Sequence, residues 1–247
     1  MKLKDLNIVS SLAELGLIPA GKTLINTINA YSYDMAQEDE AFAEALTRGD
    51  YLIPDGASIV KACKWLKAKS QPLERIAGWD LFMFEMEALE KKSKALKAKG
   101  EKCLKVMFLG SSQKVLSLIH KRATTDFPNL DVLTYSPPFK AEFSDEDSRA
   151  MIQAINMAKP DLLWIGMTAP KQEKWVFGHW DKLNIHCHCG TIGAVFDFYA
   201  GTVRRAPAWW QRHSLEWLFR LLKEPKRMWR RYVIGNAKFL YYILFKE

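Results

Sequence analysis

The 247-residue chain has no apolar run approaching the roughly 18 to 20 residues that a membrane-spanning helix requires. Its opening stretch, MKLKDLNIVSSLAELGLIPAGK, carries Asp5 and Glu14 among its apolar residues and lacks the pattern of a secretory signal. Cytoplasmic residence is therefore expected, and the four cysteines (63, 103, 187 and 189) are expected to be reduced thiols. The LGSS turn (109–112) fits neither GxGxxG nor GxxxxGKS/T, which weakens the dinucleotide and P-loop readings there. There is no GxSxG nucleophile turn, no convincing acidic metal pair and no low-complexity or repeat period. What remains is ordinary globular composition, about half hydrophobic and a quarter charged, with length for one large domain or a domain plus an appendage.

Charge is unevenly placed. From Arg204 to Glu247 there are eleven Lys or Arg against three Glu, while the preceding residues hold 25 of each sign. The whole net charge of +8 thus sits at one end, a footprint of nucleic acid, anionic membrane or a phosphate-rich substrate.

Along the first 200 residues, strand and helix patterns alternate. Strands are expected at 24–30, 51–54, 105–110, 130–136, 160–167 and 184–191. Helices are expected at 35–48, 58–68, 80–97 with Asp80 as N-cap, 113–124, 144–159, and from 170 onward. This alternation predicts an α/β, Rossmann-like parallel sheet flanked by helices, with ligands beyond the carboxyl ends of the strands. After Gly201 the alternation stops, and Pro207, Pro225 and Gly235 punctuate two or three helices. Residues 1–200 are accordingly read as the core and 201–247 as a basic, amphipathic helical appendage.

Several segments allow two readings. On one continuous helix, Arg220, Lys223, Arg227, Arg230 and Arg231 share a side, with Leu218, Leu222, Trp229 and Val233 opposite. Such a tail either packs on the core with a solvated basic face or meets lipid while its arginines grip phosphate. Pro225 could instead begin a second helix at its first position. In IPDG (53–56), Asp55 is an ordinary turn residue or a general base at a strand end. LGSS (109–112) could bind phosphate through backbone amides. HCHC (186–189) places the two His and the two Cys on opposite faces of a strand, and buried strand residues describe it better than a zinc site. In GMTAPKQEKW (166–175), Gln172 is a candidate polar contact, and Glu173 only a helix cap.

Taken together, TINA (27–30), IPDGASIV (53–60), RIAGWDL (75–81), FLGSS (108–112), GMTAPKQEKW (166–175), FDFYAGTVRRAPAWWQ (196–211) and LEWLFRLLKEPKRMWRRY (215–232) resemble the WecG/TagA/CpsF family of bacterial glycosyltransferases. The blocks occur in family order and cover nearly the whole chain. The resemblance implies the Rossmann-like core called GT-E, with the tail closing over the site. It implies metal-independent, inverting transfer of a sugar from a UDP donor to a lipid-diphosphate-linked sugar, for cell-surface polysaccharide, at the cytoplasmic membrane face. No cofactor or metal is expected, and nucleic acid is not an expected partner. By matching motif, Asp55 is the expected base, and Thr27, Asn29 and Gln172 are expected pocket residues. Arg220, Arg227 and Arg230 are the tail arginines expected on the donor diphosphate.

The chain departs from the family pattern at TIGA (191–194), where GVGG is typical, and at Trp79. An N-acetylmannosamine-type donor is favoured, with UDP-glucose or another hexose as the alternative. A non-catalytic module binding anionic membrane or nucleic acid is the competing class. A homo-oligomer stays open, because a second subunit could cover the apolar face of the tail.

Overall fold

The computed structural model describes residues 1–213 and 215–247; the side chains of Ala208 and Arg227 lie outside that description. In chain order the elements are α1 (Leu12–Leu15), β1 (Thr23–Ile28), α2 (Ala30–Glu38), α3 (Glu40–Thr47), β2 (Tyr51–Pro54), α4 (Ala57–Trp65) and α5 (Gly78–Lys97). Then follow β3 (Lys105–Leu109), α6 (Gln113–Asp126), β4 (Asp131–Tyr135), α7 (Asp145–Ala158), β5 (Leu162–Ile165), α8 (Lys171–His179), β6 (His188–Thr191) and α9 (Ala194–Ala200). The last segment holds α10 (Ala208–Arg212), α11 (Glu216–Lys223), α12 (Pro225–Trp229), a π-helical turn (Arg230–Ile234) and α13 (Gly235–Phe245).

The six strands form one parallel sheet in the order β2-β1-β6-β5-β3-β4. The α/β, Rossmann-like class read from the alternation is therefore the class of the protein. The strands β5 and β3 are nearly continuous runs of buried residues, as expected for strands covered on both faces.

The chain divides into two compact units, and the division is not collinear with the sequence. One unit combines residues 1–17, 27–77 and 204–247; the other combines 18–26 and 78–203. The last segment of the second unit ends at Val203. The basic tail, however, belongs to the same unit as the TINA and IPDG blocks.

In the first unit, Tyr33, Phe42, Ile59, Phe239 and Ile243 belong to one buried cluster. Phe239 and Ile243 come from α13, so the tail contributes to the core. Each such burial stabilises by about 2 kcal/mol. Phe239 meets Tyr33 edge-on at 5.5 Å between ring centroids. The Glu247 carboxylate accepts from the Leu3 amide at 2.5 Å and from the Tyr33 hydroxyl. The docking rests on these buried contacts more than on the exposed Lys238–Glu38 pair at 2.5 Å, because exposed pairs contribute little.

In the second unit the cluster includes Met107, Leu163, Ile165, Trp175, Val176 and Cys189. Thr191 donates to Asn26 at 2.8 Å, a fully buried polar pair where β6 lies beside β1.

Three details differ from the reading of the sequence. The helix expected over 35–48 is two helices, because Asp39 is extended (φ −125°, ψ 100°) and its side chain caps Phe42. Helix α5 starts at Gly78, so Asp80 is not its N-cap but a first-turn acid, favourable beside the positive helix end. The last strand covers only 188–191. Of the two readings of the tail, the second holds: Glu224 leaves helical geometry (φ −134°, ψ 62°) and Pro225 opens α12 at its first position.

Candidate active site

The first unit contains a cavity of about 650 Å³ whose wall is built from β-strand ends on one side and tail helices on the other. Asp55 immediately follows β2, and Gly56 is the N-cap of α4. Asn29 follows β1 and caps α2, its Oδ1 accepting from the amides of Tyr31 and Ser32 at 3.0 Å each. The two strand ends lie side by side: a Cβ on Gly56 would stand 3.5 Å from that of Asn29. TINA and IPDG thus form one corner of the cavity, which Asn29 and Asp55 both line. Thr27, half-buried in β1, is not among the residues on the cavity wall.

Asp55 carries an unusual proton affinity. Burial pushes its carboxyl up to about 6, against the pull of Arg75 and Arg220, with Glu216 adding to the rise and Arg231 opposing it. At neutral pH it is still mostly ionised. A carboxylate of that basicity is better suited to take a proton than an ordinary aspartate.

The cations around it are held by a second carboxylate. Arg75 donates to Glu216 at 2.6 Å, and Arg205 reaches the other oxygen at 3.3 Å. Burial works against the charge of Glu216, but the Arg75 hydrogen bond and the charges of Arg205, Arg75 and Arg220 prevail and hold its carboxyl below the usual range. Along the wall, Lys61, Arg75, Arg220 and Arg231 face Asp55 and Glu216, leaving a surplus of two positive charges. Such a surplus suits a diphosphate.

The tail arginines do not all fall where their motif suggested. Arg220 lines the cavity; Arg230 is exposed and does not; the side chain of Arg227 lies outside the description. Arg231, which the motif reading left out, lines the cavity instead. Its guanidinium stands 4.9 Å from the Tyr31 ring centroid, and its buried Nε has no hydrogen-bond partner among the described residues. The π turn shifts the helix register here, which no continuous wheel could have displayed.

Gln172 belongs to the other unit. It is 4% exposed, and its Oε1 accepts from the amides of Met167 at 3.0 Å and Gly193 at 3.2 Å. The side chain therefore ties the end of β5 to the TIGA turn. Its Nε2 donates to Glu173 at 2.7 Å. Glu173 is more than a helix cap: it is 2% exposed, and burial pushes its carboxyl up to about 7. Glycines line this turn because nothing larger fits. Gly110 has φ +115°, and a Cβ there would stand 2.7 Å from the Gly166 carbonyl oxygen. A Cβ on Gly193 would come within 2.6 Å of the Met167 oxygen. Trp79 packs with Phe82 and Tyr199, at 6.1 and 6.3 Å between centroids.

In HCHC, Cys187 and Cys189 are buried, while His188 bonds Glu85 at 3.0 Å and the Pro19 carbonyl oxygen at 3.1 Å. The buried-strand reading describes the two cysteines. Among the described residues, no helix is long and apolar enough to cross a membrane.

Comparison with known proteins agrees with the motif reading. The sequence profile of the glycosyl transferase WecG/TagA/CpsF family matches residues 2–247. The chain belongs to that family. Among its relatives is an N-acetylglucosaminyldiphosphoundecaprenol N-acetyl-beta-D-mannosaminyltransferase of Bacillus spizizenii, 29% identical over 79% of this chain and 69% of that protein. Proteins of the same name from Bacillus subtilis and Staphylococcus aureus are 26% and 28% identical, over 91% and 83% of this chain and 80% and 74% of their own.

Proposed function

We propose that this glycosyltransferase moves N-acetylmannosamine from a UDP donor to N-acetylglucosamine carried on undecaprenyl diphosphate, with inversion and without a metal ion, at the cytoplasmic face of the membrane. The observation that carries the reading is Asp55, a carboxylate of raised basicity, facing a cavity with a surplus of two positive charges. The names of the relatives supply the sugars.

In the reaction the acceptor hydroxyl gives its proton to Asp55 as its oxygen bonds the anomeric carbon of the donor sugar. The bond from that carbon to the UDP oxygen breaks, and the electron pair leaves on the diphosphate. Attack opposite the leaving group inverts the centre. Arg220 stabilises the charge on the departing diphosphate, the role that the family resemblance also gives Arg227 and Arg230. Of the pocket residues that the family resemblance implies, Asn29 lines this cavity beside Asp55, while Thr27 and Gln172 do not line it. The apolar surface of α13 outside the cavity, where Tyr241 and Phe245 are exposed, suits contact with the bilayer that carries the acceptor.

The test is a panel of UDP-sugars offered with a lipid-diphosphate-N-acetylglucosamine analogue in the presence of EDTA, with products identified by mass. Addition of N-acetylhexosamine from UDP-N-acetylmannosamine is expected, undiminished by the chelator. Transfer from UDP-glucose alone would overturn the donor, and loss of turnover in EDTA would overturn metal independence.

A further inference from the structure

The cavity wall is graded. Along α4, Ser58 and Lys61 lie nearer Asp55, and Trp65 lies at the far end. Along the tail, the π turn adds one residue to the helical period, so Arg231, Asn236, Leu240 and Leu244 fall on one face and all line the cavity. That face runs from guanidinium through amide to aliphatic over roughly 20 Å. Two elements of separate sequence origin therefore change from charged to apolar inside one cavity. At the apolar end, Trp65, Leu240 and Leu244 stay 61%, 58% and 55% exposed. Water-facing apolar side chains that continue from a cationic wall match a ligand in which a diphosphate is bonded directly to a hydrocarbon chain.

We propose that this graded wall is a subsite for the lipid part of the acceptor: Arg231 and Lys61 hold the diphosphate, and Trp65, Leu240 and Leu244 cover the first isoprene units. The proposal deepens the reading that the acceptor is a lipid diphosphate and rests on it. It divides labour among the arginines, with Arg220 serving the donor diphosphate and Arg231 the acceptor's. The enzyme would then grip its acceptor by a portion of the chain drawn out of the bilayer, and not by the sugar alone.

Binding can be measured without turnover, through the fluorescence of Trp65 and Trp217 on the same wall. Farnesyl diphosphate, inorganic diphosphate and farnesol are titrated into the full chain without membrane or detergent. Farnesyl diphosphate is expected to bind at least about tenfold more tightly than inorganic diphosphate, the worth of burying roughly two methylene groups. The double variant Leu240→Gln, Leu244→Gln, both positions being exposed enough to spare the fold, should erase that advantage while leaving inorganic diphosphate unaffected. Arg231→Gln should weaken both diphosphates. The subsite is overturned if farnesyl diphosphate binds no better than inorganic diphosphate, if farnesol binds as tightly as farnesyl diphosphate, or if the double variant keeps the full advantage. Because no sugar is transferred in this assay, an inactive sugar panel would count against the proposed reaction and not against the subsite.

Discussion

Each of the two units buries a carboxyl whose proton affinity is raised, and the two groups have opposite surroundings. Asp55 opens onto a cavity walled by guanidinium groups, and burial lifts it to about 6. Glu173 is lifted to about 7, no cation moderates the rise, and its Oε2 has no hydrogen-bond partner among the described residues. The bond it accepts from Gln172 orients that side chain, which in turn fixes the turn at Gly193. Burial explains both shifts, so a perturbed carboxyl alone does not mark a catalytic base. Access to a cavity with charges that suit the substrate distinguishes Asp55, while Glu173 is a positioning residue for a glycine turn.

The largest effect should come from Asp55→Asn. Loss of a general base is expected to lower kcat by about 10²- to 10⁴-fold, read from initial rates, with no fall in Tm because the buried charge disappears. If Glu173→Gln lowered kcat as much, the contrast between the two carboxyls would fail.

A smaller effect is expected on the pH profile. Activity should fall as pH drops through about 6, where Asp55 takes up its proton. The negative charge of Glu216 helps to raise that value, so Glu216→Gln should move the acid limb of kcat/KM to lower pH. An acid limb that stayed in place would remove Glu216 from the electrostatics of the base.

The smallest effect concerns stability. The folded protein keeps the Glu173 proton at pH values where the unfolded chain has already released it. Stability should therefore fall as pH rises from about 4.5 to 7, by on the order of 2 kcal/mol from this group. Denaturant titrations at pH 5 and pH 8 should show that loss in the wild type, and Glu173→Gln should reduce it by that amount.

Much of the scaffold was legible because period and punctuation act locally. The apolar runs of β3 and β5, the helix expected at 144–159 and the break at Pro225 all depend on neighbours within a few residues. Asp39 and Asp80 were misread for the same reason. An acid that fits a helix interior, an N-cap or a first turn carries one sequence pattern, and backbone geometry chooses among them. In the candidate site, motif spacing pointed to Asp55 and Arg220, yet it favoured Arg230 where the cavity receives Arg231.

The sequence by itself determined the parallel α/β class, the position of Asp55 at a strand end and the concentration of charge in the last 44 residues. Only the tertiary structure decided that the tail shares a core with residues 27–77, and which of its arginines lines the cavity with Asp55. The physical reason is that Phe239 and Ile243 find their partners some 200 positions away, and that a π turn resets the helix face by one residue. Neither long-range burial nor helix register is written in composition or local period.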